Sequence, residues 1–490
     1  MLNITQNDYN IIKQKNTERY IKLNLLDFNY NVVDELSGNM LSCSVRCDAD
    51  SDLRRSCNVS FVVTDSGFEV GAASRIFLDR YIQLYIGLKN IYTQEIQWYN
   101  QGIYLIDAPS YEYNATTHTL SFAGLDLMSK LTGARNGQLP GIPTVIKQGE
   151  NVRKAIIATL ALGGFTKYIV EECKVDKAIQ PVPYDIQIDQ GGYVFDILSK
   201  LRDIMPKYQM YFDVDGVFHY EPIPSGEDEP VLITDDIWTS VVTGETINTD
   251  FTTVKNYIEV YGRTHEVQYY DASPTVVRNH PLVAVLSLNI AGYQDSDYSL
   301  IGFTTPSSGF NGNGIVFLQV NINDTKIGFA QLSSSVFPAN QYLVIQKVPK
   351  KGSLSLQGFT GDINFDFLGG LQAKATWSDT NPESPFYVNG PVGIIREVLC
   401  SGDYDDITSD TLAQQRAELE GYWKCRLNDN ITLNVVPIPW IDVNIVVSHA
   451  PKQGEVTNRY IIKSYSVDYG SVSSTMSITM ITFYPYYPIL

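Results

Sequence analysis

Histidine is scarce in this chain. His118, His219, His265, His280 and His449 are all there is in 490 residues. Few general bases are therefore on offer, and none stands beside a Ser or Cys in a recognised nucleophile motif. Cations are short as well: 36 Lys and Arg face 54 Asp and Glu, a net charge of −18. A protein that grips duplex DNA needs cationic contacts to displace counterions, so sequence-specific DNA binding is excluded as a leading reading. The six cysteines, Cys43, Cys47, Cys57, Cys173, Cys400 and Cys425, form no Cys-x-x-Cys pair. Cys43, Cys47 and Cys57 cluster without a nearby His, and read as free thiols of a reducing cytoplasm rather than zinc ligands. No apolar run reaches the roughly 18 residues of a membrane span. The polar start, Met1-Leu-Asn-Ile-Thr-Gln-Asn-Asp, has no signal-peptide pattern. Without a secretory route, triplets such as Asn58-Val-Ser and Asn114-Ala-Thr carry no glycan implication.

What is present points to folded β structure. Hydrophobic residues make up 44% of the chain, enough for the cores of about three domains of ordinary size. Charged residues at 18% and aromatics at 12% argue against long disordered spans. Tyrosine stands out, with 32 Tyr against 20 Phe and 5 Trp. It suits half-exposed strands and protein interfaces, and it equally suits a plain β protein. The acidity also has two readings. Carboxylates lining a passage would repel a sliding phosphate backbone, or the charge serves solubility alone.

Residues 1 to about 130 read mostly as strands. Alternating apolar positions mark Ile21–Phe28 and Cys57–Thr64, and Tyr81–Leu88 is a longer β run rich in branched and aromatic residues. The stretch Trp98–Pro109 predicts a hairpin turned at Asn100-Gln-Gly102 and ended by Pro109. Ser110–Met128 predicts strand, turn, strand and a short helix. Next come two helices. Glu150–Leu162 carries Val152, Ala155, Ile156, Thr159 and Leu160 on one face and stops at Gly163-Gly164. Tyr193–Met205 carries Val194, Ile197, Leu198, Leu201 and Ile204, with Pro206 closing it. Asp215-Gly216 between two alternating runs predicts a two-residue hairpin turn. Asn256–Gly262 is a strand. Residues 271–380 turn rich in Ser, Gly and Asn but keep strands at Ile315–Ile322 and Tyr342–Val348. A helix begins near Ser409 or Asp410, either a good N-cap. Two strands close the chain, Arg459–Tyr469 and Thr475–Phe483, joined at Gly470-Ser.

Possible sites fare poorly one by one. His265-Glu266 starts a zinc-protease pattern, but Tyr269 stands where the second His would be. Asp213-Val-Asp215-Gly216 does not continue into a calcium loop, and a hairpin explains it better. The tract Asn311-Gly-Asn-Gly314 has no following Lys-Ser/Thr and no helix, which disfavours phosphate binding. The pairs Asp295/Asp297 and Asp405/Asp406 do not show the cleft a glycosidase needs, and the second pair reads as a solvated turn. No catalytic, cofactor-binding or metal residue is therefore assigned, no cofactor is expected, and the chain is read as a non-enzyme.

Four stretches together resemble the tail-hub, or baseplate-hub, family of bacteriophages. They are Gly102-Ile-Tyr-Leu-Ile-Asp-Ala-Pro-Ser-Tyr-Glu-Tyr-Asn-Ala-Thr with Leu120-Ser-Phe-Ala-Gly-Leu-Asp-Leu-Met-Ser-Lys-Leu-Thr-Gly133; Tyr211-Phe-Asp-Val-Asp-Gly-Val-Phe-His-Tyr-Glu-Pro-Ile-Pro224; Asn381-Pro-Glu-Ser-Pro-Phe; and Ser409 to Val443, including Asn430-Ile-Thr-Leu-Asn-Val-Val-Pro437-Ile-Pro439-Trp440-Ile-Asp442. The resemblance implies a mainly β fold with a small α/β lobe, two tail-tube-like β-barrels forming a trimeric ring, and an inserted β module. The expected divisions are a first barrel at 1–135, the lobe at 136–235, a second barrel with one helix at 236–270 and 381–490, and the insert at 271–380. It further implies a structural virion protein at the distal tip of the tail, made in the bacterial cytoplasm. As a homotrimer it would close the tail tube, join it to distal tail proteins and a tip spike or fibre, and let DNA pass without holding it. The tape-measure protein is a further partner it allows. Two alternatives stand beside this. The 271–380 insert would bind a receptor or glycan through Tyr293, Tyr298, Phe310 and Trp377, or the chain would be a tail-borne cell-wall hydrolase.

Overall fold

The computed structural model describes residues 4–484 except 15–16, 37–39, 64–69, 72–73, 117, 142–143, 176–177, 206, 227, 263–267, 406, 408–409, 428, 455 and 471–473, and over 268–371 it describes only the strands, by their backbone alone. Pro206, His265, Glu266, His280, Tyr293, Asp295, Asp297, Phe310, Asn311, Asp406 and Ser409 lie outside the described residues. The chain divides into two compact units, Met1–Asp250 with Asn428–Ile489, and Phe251–Leu427.

The first unit is organised by a 12-stranded sheet. Its strands are β1 (Arg19–Leu26), β2 (Val32–Glu35), β3 (Met40–Asp48), β4 (Arg55–Val62), β5 (Tyr81–Lys89), β6 (Ile96–Tyr113), β7 (His118–Asp126), β8 (Val242–Thr249), β9 (Asp429–Val435), β10 (Val446–His449), β11 (Asn458–Gly470) and β12 (Ser474–Thr482). They run in the order β8-β9-β12-β11-β3-β4-β7-β6-β5-β1-β2, with β10 also on β11. The antiparallel pairing of β11 with β3 joins the two ends of the chain. Period-2 alternation explains which face is buried. Strand β4 alternates buried Arg55, Cys57, Val59 and Phe61 with more open Ser56, Asn58, Ser60 and Val62. The buried face joins Cys43, Val45, Cys57, Val467, Ile478 and Met480 with Trp238 and Trp440 in one core.

The predicted turn at Gly102 does not form. Strand β6 runs unbroken from Ile96 to Tyr113. The register slips there instead, with Leu84 opposite Gly102 and Tyr85 opposite Asn100, so Gln101 bulges. Gly102 takes φ +134, a conformation that suits glycine at a bulge as well as at a turn. A second slip spans Asp107 to Ser110, where Pro109, lacking an N–H, sits outside the ladder.

A lobe follows β7. The helix Val152–Leu162 buries Val152, Ala155, Ile156, Thr159 and Leu160, the face read from the sequence. Asn151 caps it by accepting from the Lys154 N–H at 2.9 Å, and Gly163 ends it. The helix Val194–Asp203 buries Val194, Ile197, Leu198 and Leu201, and also Phe195. The hairpin of Tyr208–Phe212 with Phe218–Pro222 forms, but its turn is longer than two residues. The Gly216 N–H donates to the Asp213 carbonyl at 3.2 Å and the Asp213 N–H to the Val217 carbonyl at 2.9 Å. Gly216 at φ +74 completes a turn with a glycine bulge.

In the second unit, Tyr257–Tyr261 lies between Lys374–Ser378 and Arg396–Leu399. The helix Asp410–Lys424 packs on these strands. Gly421 is needed there, because a Cβ would stand 2.3 Å from the Trp377 ring. Trp377, expected on an exposed surface, is thus engaged by this helix. Buried Asn256 ties the loop beyond the strand: its Nδ2 donates to the carbonyls of Phe386 at 2.7 Å and Gly393 at 2.8 Å. The 271–380 region contributes to two four-stranded sheets. One has the order Gln268–Asp271, Tyr298–Thr304, Tyr342–Pro349, Leu282–Val285; the other has the order Thr325–Ser334, Gly314–Ile322, Phe359–Phe367, Gly352–Leu356.

Candidate functional site: the seam of the sheet and its solvent face

The seam between β3 and β11 is a place where residues far apart in sequence must act together. Lys463 and Asp50, 413 positions apart, form an ion pair at 2.7 Å. Behind the seam sits Arg55, on the buried face of β4. Its Nη2 donates to both carboxylate oxygens of Asp442, each at 2.6 Å, and its Nη1 to the Phe212 carbonyl of the lobe hairpin at 2.7 Å. Burial alone would lower the Arg55 pKa, but the Asp442 carboxylate outweighs it and holds the guanidinium firmly charged. The Arg55 N–H donates to Asp126 at 3.2 Å, and Asp126 accepts from the Met128 N–H at 2.8 Å to start the short helix Leu127–Lys130. Burial pushes the Asp126 carboxyl up.

Arg54 extends the same joint. Its Nη2 donates to Gln209 Oε1 at 2.5 Å, an oxygen that also accepts from Asn444 Nδ2 at 2.6 Å. Its guanidinium lies 3.9 Å from the centre of the Tyr211 ring. His219 stacks on the other part of this group, with ring centres 5.1 Å from Tyr211. It reaches Asp213 at 3.0 Å and Glu221 at 3.3 Å. Burial would lower the His219 pKa, yet its two carboxylate partners raise it to about 9. Asp213, weighed as a calcium ligand, spends its oxygens on His219 and on the N–H groups of Asp215 and Val217. Nothing in the pattern of single residues announces the Arg55–Asp442 pair, since its members lie 387 positions apart.

The cysteines serve the core. Cys43, Cys47 and Cys57 are buried, and burial pushes the thiols of Cys47 and Cys57 up to about 12. A thiolate is what binds metal or attacks a carbon, so these positions are poor at either. His449 is buried between Glu245 at 2.6 Å and Asp235 at 3.6 Å. His118 packs between Tyr111 and Tyr113 at the exposed end of the β6–β7 hairpin. Among the described residues no group of three or more His, Cys, Asp or Glu is placed to hold a metal ion.

The opposite face of the same strands has a different composition. Paired positions run across the seam as Thr432–Thr479–Ser464–Asp48, as Asn434–Ser477–Ser466–Arg46–Ser56, as Thr475–Asp468–Ser44–Asn58–Ala123, and as Gly470–Ser42–Ser60–Ser121–Ser110. Apart from Arg46 these side chains are short, and most are hydroxyls or amides. Serine is a weaker strand former than Thr or Val, so local propensity does not account for its abundance here. The face is hollowed. One concavity of about 530 Å³ includes Ser42, Ser44, Asn58, Ser60, Ser110 and Ser121 in its wall, and a second of about 370 Å³ includes Ser56, Ser464, Ser466, Ser477 and Thr479. The signal was in the sequence as small polar residues two apart, in Ser42-Cys-Ser44, Ser464-Tyr-Ser466 and Thr475-Met-Ser477-Ile-Thr479.

Comparison with known proteins gives the fold a context. A family model described as a domain of unknown function, DUF5048, matches residues 383–487. No curated protein matches the sequence. Among solved structures, the 43 kDa tail protein of prophage MuSo2 from Shewanella oneidensis aligns with a TM-score of 0.51 and 10% identity, over 94% of this chain and 98% of that one. A tail protein from Neisseria meningitidis aligns with a TM-score of 0.49 and 10% identity, over 95% and 98% of the two chains. Prophage tail protein gp18 from Listeria monocytogenes aligns with a TM-score of 0.43 and 9% identity, over 94% of each. The chain thus has a mainly β, tail-protein fold of the kind expected for the phage tail-hub family that its sequence resembles.

Proposed function

We propose that this chain is the hub of a phage tail or tail-like particle, a structural protein rather than an enzyme. The observation that carries this reading is the single sheet in which strands from both ends of the chain join through β3 and β11. Strands β1–β7 supply one tube-like barrel and β8–β12 the second. Three subunits then offer six similar barrels to a sixfold tube on one side and threefold symmetry to a spike or fibre on the other. Such a ring closes through head-to-tail contacts. The hollowed hydroxyl face of the seam lies along the passage. Its mostly short side chains give a moving duplex no row of cations to bind, and the two charges of Asp48 and Asp468 outweigh the one of Arg46. Repulsion by a dense lining of carboxylates, one of the two readings of the acidic composition, is not needed on this face. We read the 271–380 insert as a β module of its own.

Electron microscopy of the particle that encodes the chain, with the chain carrying an antibody tag, tests the reading. Label at the distal end of the tube, and tubes without tips when the chain is removed, are the expected outcome. Label along the tube or on the capsid, with normal tips in the chain's absence, would refute it.

A further inference from the structure

The smaller hollow on the open face, of about 370 Å³, has two arginines in its wall: Arg46 of β3 and Arg54, which leads into β4. Neither has a carboxylate of a described residue within ion-pair distance. Arg55, Arg135, Arg153 and Arg202 of the same unit each have one. Arg46 is exposed and makes no hydrogen bond to a described residue either. Arg54 is 5% exposed, and Gln209 and the Tyr211 ring hold its guanidinium in place. Its Nε and Nη1 bond to no described residue and are not sealed in the core, so their N–H groups are available at the wall of the hollow.

The strands bring the two cations together. Ser56 lies opposite Arg46, and the Asp48 N–H donates to the Arg54 carbonyl at 2.9 Å, so Arg54 is the diagonal neighbour of Arg46. Such neighbours stand about 7–8 Å apart, within reach of long side chains. Hydroxyls flank them: Ser466 faces Arg46 from β11, and Ser477 stands beyond it on β12. In the larger hollow the polar groups bond one another, Asn58 to Ser44 at 3.4 Å and Ser121 to Ser60 at 3.0 Å. In the smaller one the hydroxyls of Ser56, Ser464, Ser466, Ser477 and Thr479 bond to no described residue. Asp468 belongs to the wall of the larger hollow. Asp48 is thus the carboxylate that shares the smaller wall with two guanidinium groups, and this hollow is locally positive in a chain of net charge −18.

A guanidinium only donates, so the ligand that suits the hollow accepts and carries negative charge. A carboxylate spends its two oxygens on one guanidinium fork and leaves the serines unused. A phosphate group has further oxygens outside that plane, for the second arginine and the hydroxyls. We propose that this hollow binds a phosphate group, with Arg46 and Arg54 on its charge and Ser56 and Ser466 donating from either side of Arg46. One such site per subunit is a point contact and not a row of cations. The proposal rests on the hollow alone and is independent of the tail-hub reading.

Phosphorus NMR of inorganic phosphate titrated with the full chain, at about 0.15 M ionic strength, tests it. The expected result is saturable line broadening in the wild type. Arg46→Gln changes an exposed side chain that holds nothing in place, so the variant folds, and it weakens binding by about tenfold or more. Ser56→Ala with Ser466→Ala weakens it by about three- to tenfold. Sodium acetate at equal concentration leaves the broadening in place. Displacement of inorganic phosphate by a short DNA duplex assigns the site to backbone phosphates, and no displacement assigns it to a free phosphate. Absence of saturable broadening in the wild type overturns the proposal, as does equal broadening in Arg46→Gln, or acetate that competes as well as phosphate.

Discussion

On its buried face, the seam of the sheet carries Val45 and Cys47 of β3, Cys57 of β4, Val467 of β11 and Ile478 of β12. On the other face, one residue along each strand, stand Ser44, Arg46, Asn58, Ser466 and Ser477. The backbone is common to both, so the contrast is one of side chains alone. The buried face is close-packed, and its buried cation, Arg55, is paired with Asp442. The open face has mostly short side chains and hollows, and buries little. Stability therefore belongs to one face and, in the proposed hub, contact with the passing polymer belongs to the other. Substitutions on the two faces should differ in kind: on the core face they change unfolding, and on the open face they change what slides or docks.

The largest effect is expected at Arg55. Arg55→Met leaves Asp442, whose side chain is 38% exposed, without its cation and should lower stability by about 2–4 kcal/mol in chemical denaturation. The double variant Arg55→Met with Asp442→Leu should lose less than the sum of the two singles, because the stranded charge is gone. Strict additivity would show that the pair does not act as a unit.

The next effect depends on pH. His219 is held charged in the fold, with its pKa raised to about 9. Its contribution is complete below the unfolded value of about 6.5 and is lost as pH rises through about 9. The shift corresponds to at most about 3 kcal/mol, reduced by solvent screening. His219→Gln should therefore be less stable than wild type at pH 6 and approach it near pH 10. A constant gap across that range would show that packing on Tyr211, not charge, sets the role of His219.

Gly124→Ala probes close packing on the core face. A Cβ there would lie 2.4 Å from Cys57 Sγ and 2.9 Å from Tyr104 Cβ, at a cost of about 1–3 kcal/mol. On the open face, Ser466→Thr should change stability by less than about 0.5 kcal/mol. If Ser466→Thr proves as costly as Gly124→Ala, the open face is packed against something and the contrast between the faces fails.

The local parts of this fold were legible in the sequence. The buried stripes of the helices Val152–Leu162 and Val194–Asp203 follow from apolar spacing, β1 and β4 from alternation, and β5 from its branched and aromatic residues. Gly102 was misread because a glycine needed for a bulge looks the same as one needed for a turn. Asp215-Gly216 marked the hairpin but not its turn, since Asp213 captures the N–H groups of Asp215 and Val217 and lengthens the loop. The seam was out of reach for a different reason. The pairing of Cys47 with Tyr465, and the bond from Arg55 to Asp442, depend on the whole sheet being assembled, and no local pattern encodes a partner so far along the chain. The serine face was visible as a period of two, but a row of small polar residues acquires meaning only when four strands bring their rows together.

The most direct test of the hub reading is electron microscopy of the purified chain mixed with its tail tube, with end-on class averages and the open face marked by a gold label at Ser466→Cys in a background lacking exposed Cys400. The account predicts a threefold ring capping the tube, with label directed at the central hole. A chain that stays monomeric beside intact tubes, or a ring whose label points outward, would contradict it.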